Sequence, residues 1–226
     1  MIRRTGRVRW PKTVEGARRL QERLVSCLKT QTPLRRVGLV AGAELAYTPD
    51  GNRAWAGVVA LALPDLTPVE AVWAVGLPSF PYVPGYLSFR EGPLILEAVR
   101  RLTVKPDLWL FDAHGIAHPR KFGLASHLGL LLDTPSVGCA KSRLVGTHGE
   151  PGQLRGAWTS LRFQGATVGR VLRTRTNIRP LYVSPGHLID LPSAIRWVLA
   201  VSPRFRVPEP IRQAESLVNR LKRASF

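Results

Sequence analysis

"LWLFDAHGIAHPRKFGLASHLG" (Leu108–Gly129) decides how the chain is to be read. Four apolar residues, Leu108–Phe111, follow the breaker "KPD" and stop on one carboxylate, Asp112. A short apolar run bounded by turn residues reads as a buried strand. Glycines, His114, His118, His127, Arg120 and Lys121 follow, and Lys121–Leu132 has helical spacing. "SVGCA" (Ser136–Ala140) is then a second short buried strand, with Lys141 just past it. In α/β sheets the last residues of such strands meet a crevice at the carboxyl edge. Asp112 and Lys141 both stand at that kind of position.

Reading outward, Val37–Leu45, Ala54–Leu63 and Glu70–Val75 are strand candidates, and "TPDGN" (Thr48–Asn52) turns the first into the second. That turn chemistry predicts an antiparallel pair. Val14–Lys29 carries Ala17, Leu20, Leu24, Val25 and Leu28 at helical spacing, and Phe89–Leu102 does the same with Leu94, Leu96, Ala98, Val99 and Leu102. Thr167–Leu172 and Leu181–Val183 are expected to pair as later strands, and Leu191–Ala200 and Ile211–Lys222 to be helices. Hairpin strands followed by helix–strand units predict an α/β fold, a mixed β-sheet flanked by α-helices. Residues 1–226 are read as one domain.

Thirty-three Lys and Arg stand against 15 Asp and Glu, a formal charge of +18. A field of that sign gathers polyanions, nucleic acid first among them. Two cysteines, Cys27 and Cys139, make neither a disulfide framework nor a zinc quartet. No apolar stretch is long enough to span a bilayer, and "MIRRTGRVRWPK" has charge without the apolar core of a signal peptide. The expectation is a cytoplasmic protein, monomeric and without a membrane partner.

Three carboxylates lie beside elements expected to be buried: Glu44 at the end of "VGLVAGAE", Glu91 in "FREGP" at a helix start, and Asp112. A lone buried carboxylate is costly, and a hard divalent cation such as Mg²⁺ offsets that cost with oxygen ligands. Glu91 could instead serve a helix N-terminus, and Glu44 could face solvent. Lys141 could stabilise phosphate charge or lie at the surface. His118 and His127 could each be core or helix-surface histidines. "FPYVPGYLSFREGP" (Phe80–Pro93) is the other unusual stretch: Pro81 and Pro84 bracket Tyr82 and Val83, and Gly85 permits a tight reversal. A stiff aromatic tip of this kind suits insertion into a base stack.

Six blocks together resemble the endonuclease V family, nucleases acting at deoxyinosine. They are "VAGAE" (Val40–Glu44), "PYVPGYLSFREGP" (Pro81–Pro93), "FDAHGIAHPRKFGLASHLG" (Phe111–Gly129), "PSVGCAKSRLVGT" (Pro135–Thr147), "VSPGH" (Val183–His187) and "VPEP" (Val207–Pro210). The resemblance implies an RNase H-like fold and Mg²⁺-dependent hydrolysis of the second phosphodiester 3′ to the lesion, leaving 3′-hydroxyl and 5′-phosphate ends. It implies metal ligands at Glu91 and Asp112, with Glu44 as the third, and catalytic roles for Lys141 near the scissile phosphate and for His118. Tyr82 matches the wedge aromatic, within Pro81-Tyr82-Val83-Pro84. Gly85 and Leu87, with Ala113, fall where the family forms its base pocket.

Three positions depart from that pattern. Glu44 stands where the family's first strand ends in Asp; its extra methylene shifts the carboxylate by roughly 1.5 Å, which favours ligation through water or the use of Mn²⁺. Ala113-His114 replaces a glycine-containing pair after Asp112, and Glu215 stands where a family histidine falls in the last helix. Two rival expectations follow: a nuclease with altered choice of base, mismatch or RNA, and a nucleic-acid-binding protein with weakened cleavage.

Overall fold

The computed structural model describes residues 9–225. The stretch weighed as a targeting signal therefore lies mostly outside the described residues. The elements are α1 (Val14–Leu24), β1 (Leu39–Tyr47), β2 (Ala54–Ala62), β3 (Thr67–Gly76), α2 (Leu87–Val99), β4 (Leu108–Phe111), α3 (Leu124–Leu132), β5 (Ser136–Ala140), β6 (Trp158–Phe163), β7 (Ala166–Leu172), β8 (Leu181–His187), α4 (Leu191–Ala200) and α5 (Glu209–Arg223). A short 3₁₀ turn, Val25–Cys27, extends α1. The strands form one sheet ordered β3-β2-β1-β4-β5-β8-β7-β6. β1, β4 and β5 run parallel at its centre, and the remaining neighbours pair antiparallel.

The β1–β2 hairpin forms where the turn residues place it, with Tyr47 opposite Ala54. β7 and β8 pair as expected, with Arg170 opposite Val183. β6 is an addition to the elements read from sequence. It closes the sheet edge in a hairpin with β7, and only Leu161 of its six residues is buried. An edge strand with one buried side chain carries no apolar run to betray it.

Two apolar layers sandwich the sheet. Leu108, Leu110, Val137, Cys139 and Val183 pack with Ile211, Ala214 and Leu217 of α5 and with α4 on one face. Trp109, Phe111, Ala41, Ala43, Ala56 and Ala60 pack with α2 and α3 on the other. α5 is seated by absent side chains: a Cβ on Gly42 of β1 would stand 2.3 Å from the Pro210 carbonyl carbon. Cys139 is buried and Cys27 exposed, both as free thiols. Among the described residues no helix is long and apolar enough to cross a membrane.

Candidate active site

The pleat decides which side chains meet. β1 and β4 are in register with Ala43 opposite Phe111, so Glu44 and Asp112 come next at one level. Glu44 does not end its strand, as the sequence suggested: β1 continues to Tyr47, paired there with β2 alone. Val40, Leu108, Leu110, Val137 and Cys139 all face α5, and the two-residue period carries Glu44, Asp112 and Lys141 to that same side. The contacts agree. Lys141 Nζ lies 2.6 Å from Asp112 Oδ2 and 4.0 Å from Glu215 Oε1 of α5.

Glu91 arrives from the opposite face. It lies inside α2, whose first residue is Leu87, and not at the helix start expected from sequence. Its Oε1 accepts a hydrogen bond from the Tyr47 hydroxyl at 3.0 Å, donated by the stretch of β1 that runs beyond β4. Arg90, one residue earlier, lies over the Tyr47 ring at 4.9 Å and donates to the Phe80 carbonyl at 2.9 Å. The helix that supplies Glu91 thus also holds the entrance to the Pro81–Pro84 loop.

The electrostatics of the cluster are strained by negative charge. Burial, then the charges of Asp112 and Glu91, push Glu44 up to about 8. Its Oε1 accepts from Leu45 N at 3.1 Å, while its Oε2 is buried with no hydrogen-bond partner. Burial pushes Glu91 up to about 7, against the pull of the Tyr47 hydrogen bond. Burial works against the Lys141 ammonium, but the hydrogen bond and charge of Asp112, joined by Glu215 and Glu44, outweigh it and raise its pKa. Added positive charge is what such a group of carboxylates favours.

The donor set fits a hard divalent cation in kind: oxygen ligands, mutual repulsion and one orphaned buried oxygen. Its spacing is open, since no three His, Cys, Asp or Glu side chains among the described residues are gathered closely enough to hold an ion as they stand.

A cavity of about 230 Å³ opens beside Asp112. Tyr82, Val83, Pro84, Gly85 and Leu87 form one wall, and Asp112, Ala113, His114 and His118 the other, with Lys141 at the rim and Gln21 contributing from α1. The expected wedge and pocket residues therefore share one hollow, except Pro81, which lines a neighbouring hollow with Phe80 and Arg90. Tyr82 is 71 % exposed in its loop.

The histidines divide. His118 faces the loop instead of the carboxylates. Its Nδ1 accepts from Arg120 N at 3.2 Å, so its Nε2 carries the proton and donates to the Gly85 carbonyl at 2.8 Å. Burial lowers its pKa to about 4 and keeps it neutral. His114 is likewise lowered to about 4 by burial, and its Nδ1 has no partner. His127 is a core residue bonded to Ser88 Oγ at 3.1 Å. Sequence reasoning passed over Tyr47, Arg90, Arg120 and Gln21. Gln21 alone left a signal, as a polar residue four positions after Ala17 on the inner side of α1.

A sequence model described as Endonuclease V matches residues 18–216. The Endonuclease V of Roseiflexus sp. (strain RS-1) is 48 % identical over 210 residues, covering 93 % of this chain and 94 % of that protein. The Endonuclease V of Myxococcus xanthus is 49 % identical over 217 residues, covering 96 % and 92 %. Among solved structures, the Endonuclease V of Streptomyces avermitilis superposes with a TM-score of 0.91 at 41 % identity, covering 96 % of both chains. The fold is thus the RNase H-like α/β fold of those structures. A Ciona intestinalis Endonuclease V in complex with a 24mer DNA containing an inosine followed by a ribo-adenosine shares the fold at 23 % identity and a TM-score of 0.82, covering 96 % of this chain and all of that one.

Proposed function

The chain belongs to the Endonuclease V family and is a nuclease, and from that premise we propose that it is a metal-dependent DNA repair endonuclease that recognises deoxyinosine. In this reading it hydrolyses the second phosphodiester 3′ to the lesion and leaves 3′-hydroxyl and 5′-phosphate ends. One observation carries the reading: the Asp112–Lys141 pair lines the same cavity as the Tyr82 loop. A group that can act on a phosphate and a hollow that can take a base are thereby neighbours.

The residues then divide the work. The basic surface holds the strand by its phosphates. Tyr82, stiffened by Pro81 and Pro84, fills the gap left in the stack by the extruded base. Gly85, Leu87 and Ala113 line the hollow that receives it. Lys141 brings positive charge to the scissile phosphate. Mg²⁺, or Mn²⁺ as the alternative, would be held by Glu91, Asp112 and Glu44, and when bound supplies Lewis-acid stabilisation and an acidified water. His118 keeps its proton at Nε2 on the Gly85 carbonyl and shapes the base pocket from there.

End-labelled strands carrying no lesion, inosine, uracil, a mismatch or an inosine within RNA, incubated with Mg²⁺, Mn²⁺ or EDTA, test the proposal. Cleavage of the inosine DNA alone, dependent on metal, is expected. Equal cleavage of unmodified DNA, or cleavage undiminished by EDTA, would refute it.

A further inference from the structure

The turn between the Tyr82 tip and α2 is held at a single atom. Gly85 has φ +82, and a Cβ there would stand 3.0 Å from Arg120 Nη2. Its carbonyl oxygen accepts from Gln21 Nε2 at 3.1 Å, His118 Nε2 at 2.8 Å and Arg120 Nη2 at 2.8 Å. A carbonyl oxygen has two lone pairs, so three donors, one of them cationic, make this a crowded fixed point.

Gln21 is the member of that network that lies outside every motif block. It is 1 % exposed on α1. Its Nε2 donates both to Gly85 O and to Phe122 O, the latter at 3.0 Å, and its Oε1 accepts from Arg120 Nε at 2.6 Å. The Arg120 guanidinium in turn lies 4.3 Å over the Tyr86 ring. Both amide hydrogens of Gln21 are engaged and its oxygen holds a cation, so it has no donor left for a base. Gly85 belongs to one wall of the cavity; Phe122 and Arg120 belong to the segment that forms the other. This buried amide therefore ties the two walls together, beside the direct bonds of His118 and Arg120 to Gly85.

We infer that Gln21 is a positioning residue for base discrimination: with His118 and Arg120 it fixes the separation of the two cavity walls between which the extruded base enters. This rests on the reading of the cavity as a base pocket. The consequence is physical. Recognition of a flat ring demands walls held to a fraction of an ångström, and a lost tie loosens them without removing a hydrogen-bond donor free to bind a base.

Two variants test it. Gln21→Met keeps the side-chain length and loses all three hydrogen bonds. Gln21→Glu keeps the Arg120 partner and loses both donations to carbonyls. In each, the preference for inosine DNA over undamaged DNA should fall about tenfold, the worth of one to two buried hydrogen bonds, while affinity for undamaged DNA is unchanged. Hydrogen exchange of the DNA-free proteins should rise over residues 81–88 in both variants. That second arm does not depend on which base the protein prefers. If the native chain itself shows no inosine preference while exchange rises as stated, the functional reading fails and the tie stands. Unaltered exchange over 81–88 in both variants, or equal loss of affinity for damaged and undamaged DNA, overturns the inference.

Discussion

Replacing Glu44 by Gln should change how stability depends on pH, and the structure gives the sign. Glu44 titrates near 8 in the folded chain against an ordinary 4.5, through burial and the nearby charges of Asp112 and Glu91. Between those values the folded state binds more protons than the unfolded state. Stability from this group is therefore full below about pH 4.5 and is lost as pH rises through about 8. At about 1.4 kcal/mol per unit, ionised Glu44 costs the metal-free fold on the order of a few kcal/mol above pH 8. Glu91, raised to about 7, adds a loss of the same sign. His114 and His118, lowered to about 4, act oppositely: their contribution is present above 6.5 and lost as pH falls through 4. The native curve should thus bend down on both sides. The difference between Glu44→Gln and native protein isolates the carboxylate. Urea unfolding in EDTA at pH 5, 7 and 9 should show that difference growing in favour of the variant as pH rises. A constant offset is immaterial, since a buried amide beside Leu45 has its own fixed cost. Parallel curves would refute the reasoning, because they would mean that Glu44 ionises without penalty.

Tyr82→Ala should weaken binding of inosine DNA more than that of undamaged DNA, by about 1–3 kcal/mol, the worth of stacking on a base; equal loss in a competition assay would make Tyr82 a general contact. Affinity for undamaged DNA should fall steeply between low and physiological salt, as expected of a chain with a charge of +18, and a flat salt titration would place the basic surface in another role. Glu44→Asp withdraws the carboxylate by roughly 1.5 Å and should raise the cleavage rate with Mg²⁺ relative to Mn²⁺, since Mg²⁺ is strict in its geometry. Identical rates in both metals would put Glu44 outside the site.

What was legible in the sequence was whatever is written locally. Leu108–Phe111 is wholly apolar and Ser136–Ala140 nearly so, and both are short and bounded by turns, so both strands were readable to the residue. Asp112 and Lys141 followed from them. The end of β1 was not readable, because Leu45–Tyr47 looks the same whether or not β4 runs alongside. The ladder with β2, which runs on to Tyr47, makes Glu44 a mid-strand residue, and the pairing of Ala43 with Phe111 sets it level with Asp112. β6 was lost because only Leu161 is buried there. His118 shows the limit most clearly. Its partner at Gly85 lies 33 residues away, and Arg120 meets Gln21 across 99. No periodicity reports a hydrogen bond between loops, so the same histidine reads from sequence as core, catalytic or surface, and only the fold assigns it to the turn.

A cleavage map tests the proposed activity most directly. Native protein and Asp112→Asn are incubated with one inosine-containing oligonucleotide and Mg²⁺, and the products are sized to the nucleotide. The native chain should make a single cut at the second phosphodiester 3′ to inosine, with 3′-hydroxyl and 5′-phosphate ends. Asp112→Asn should make no cut, although that variant melts cooperatively. A native cut elsewhere, or the same cut by the variant, would contradict the proposed activity.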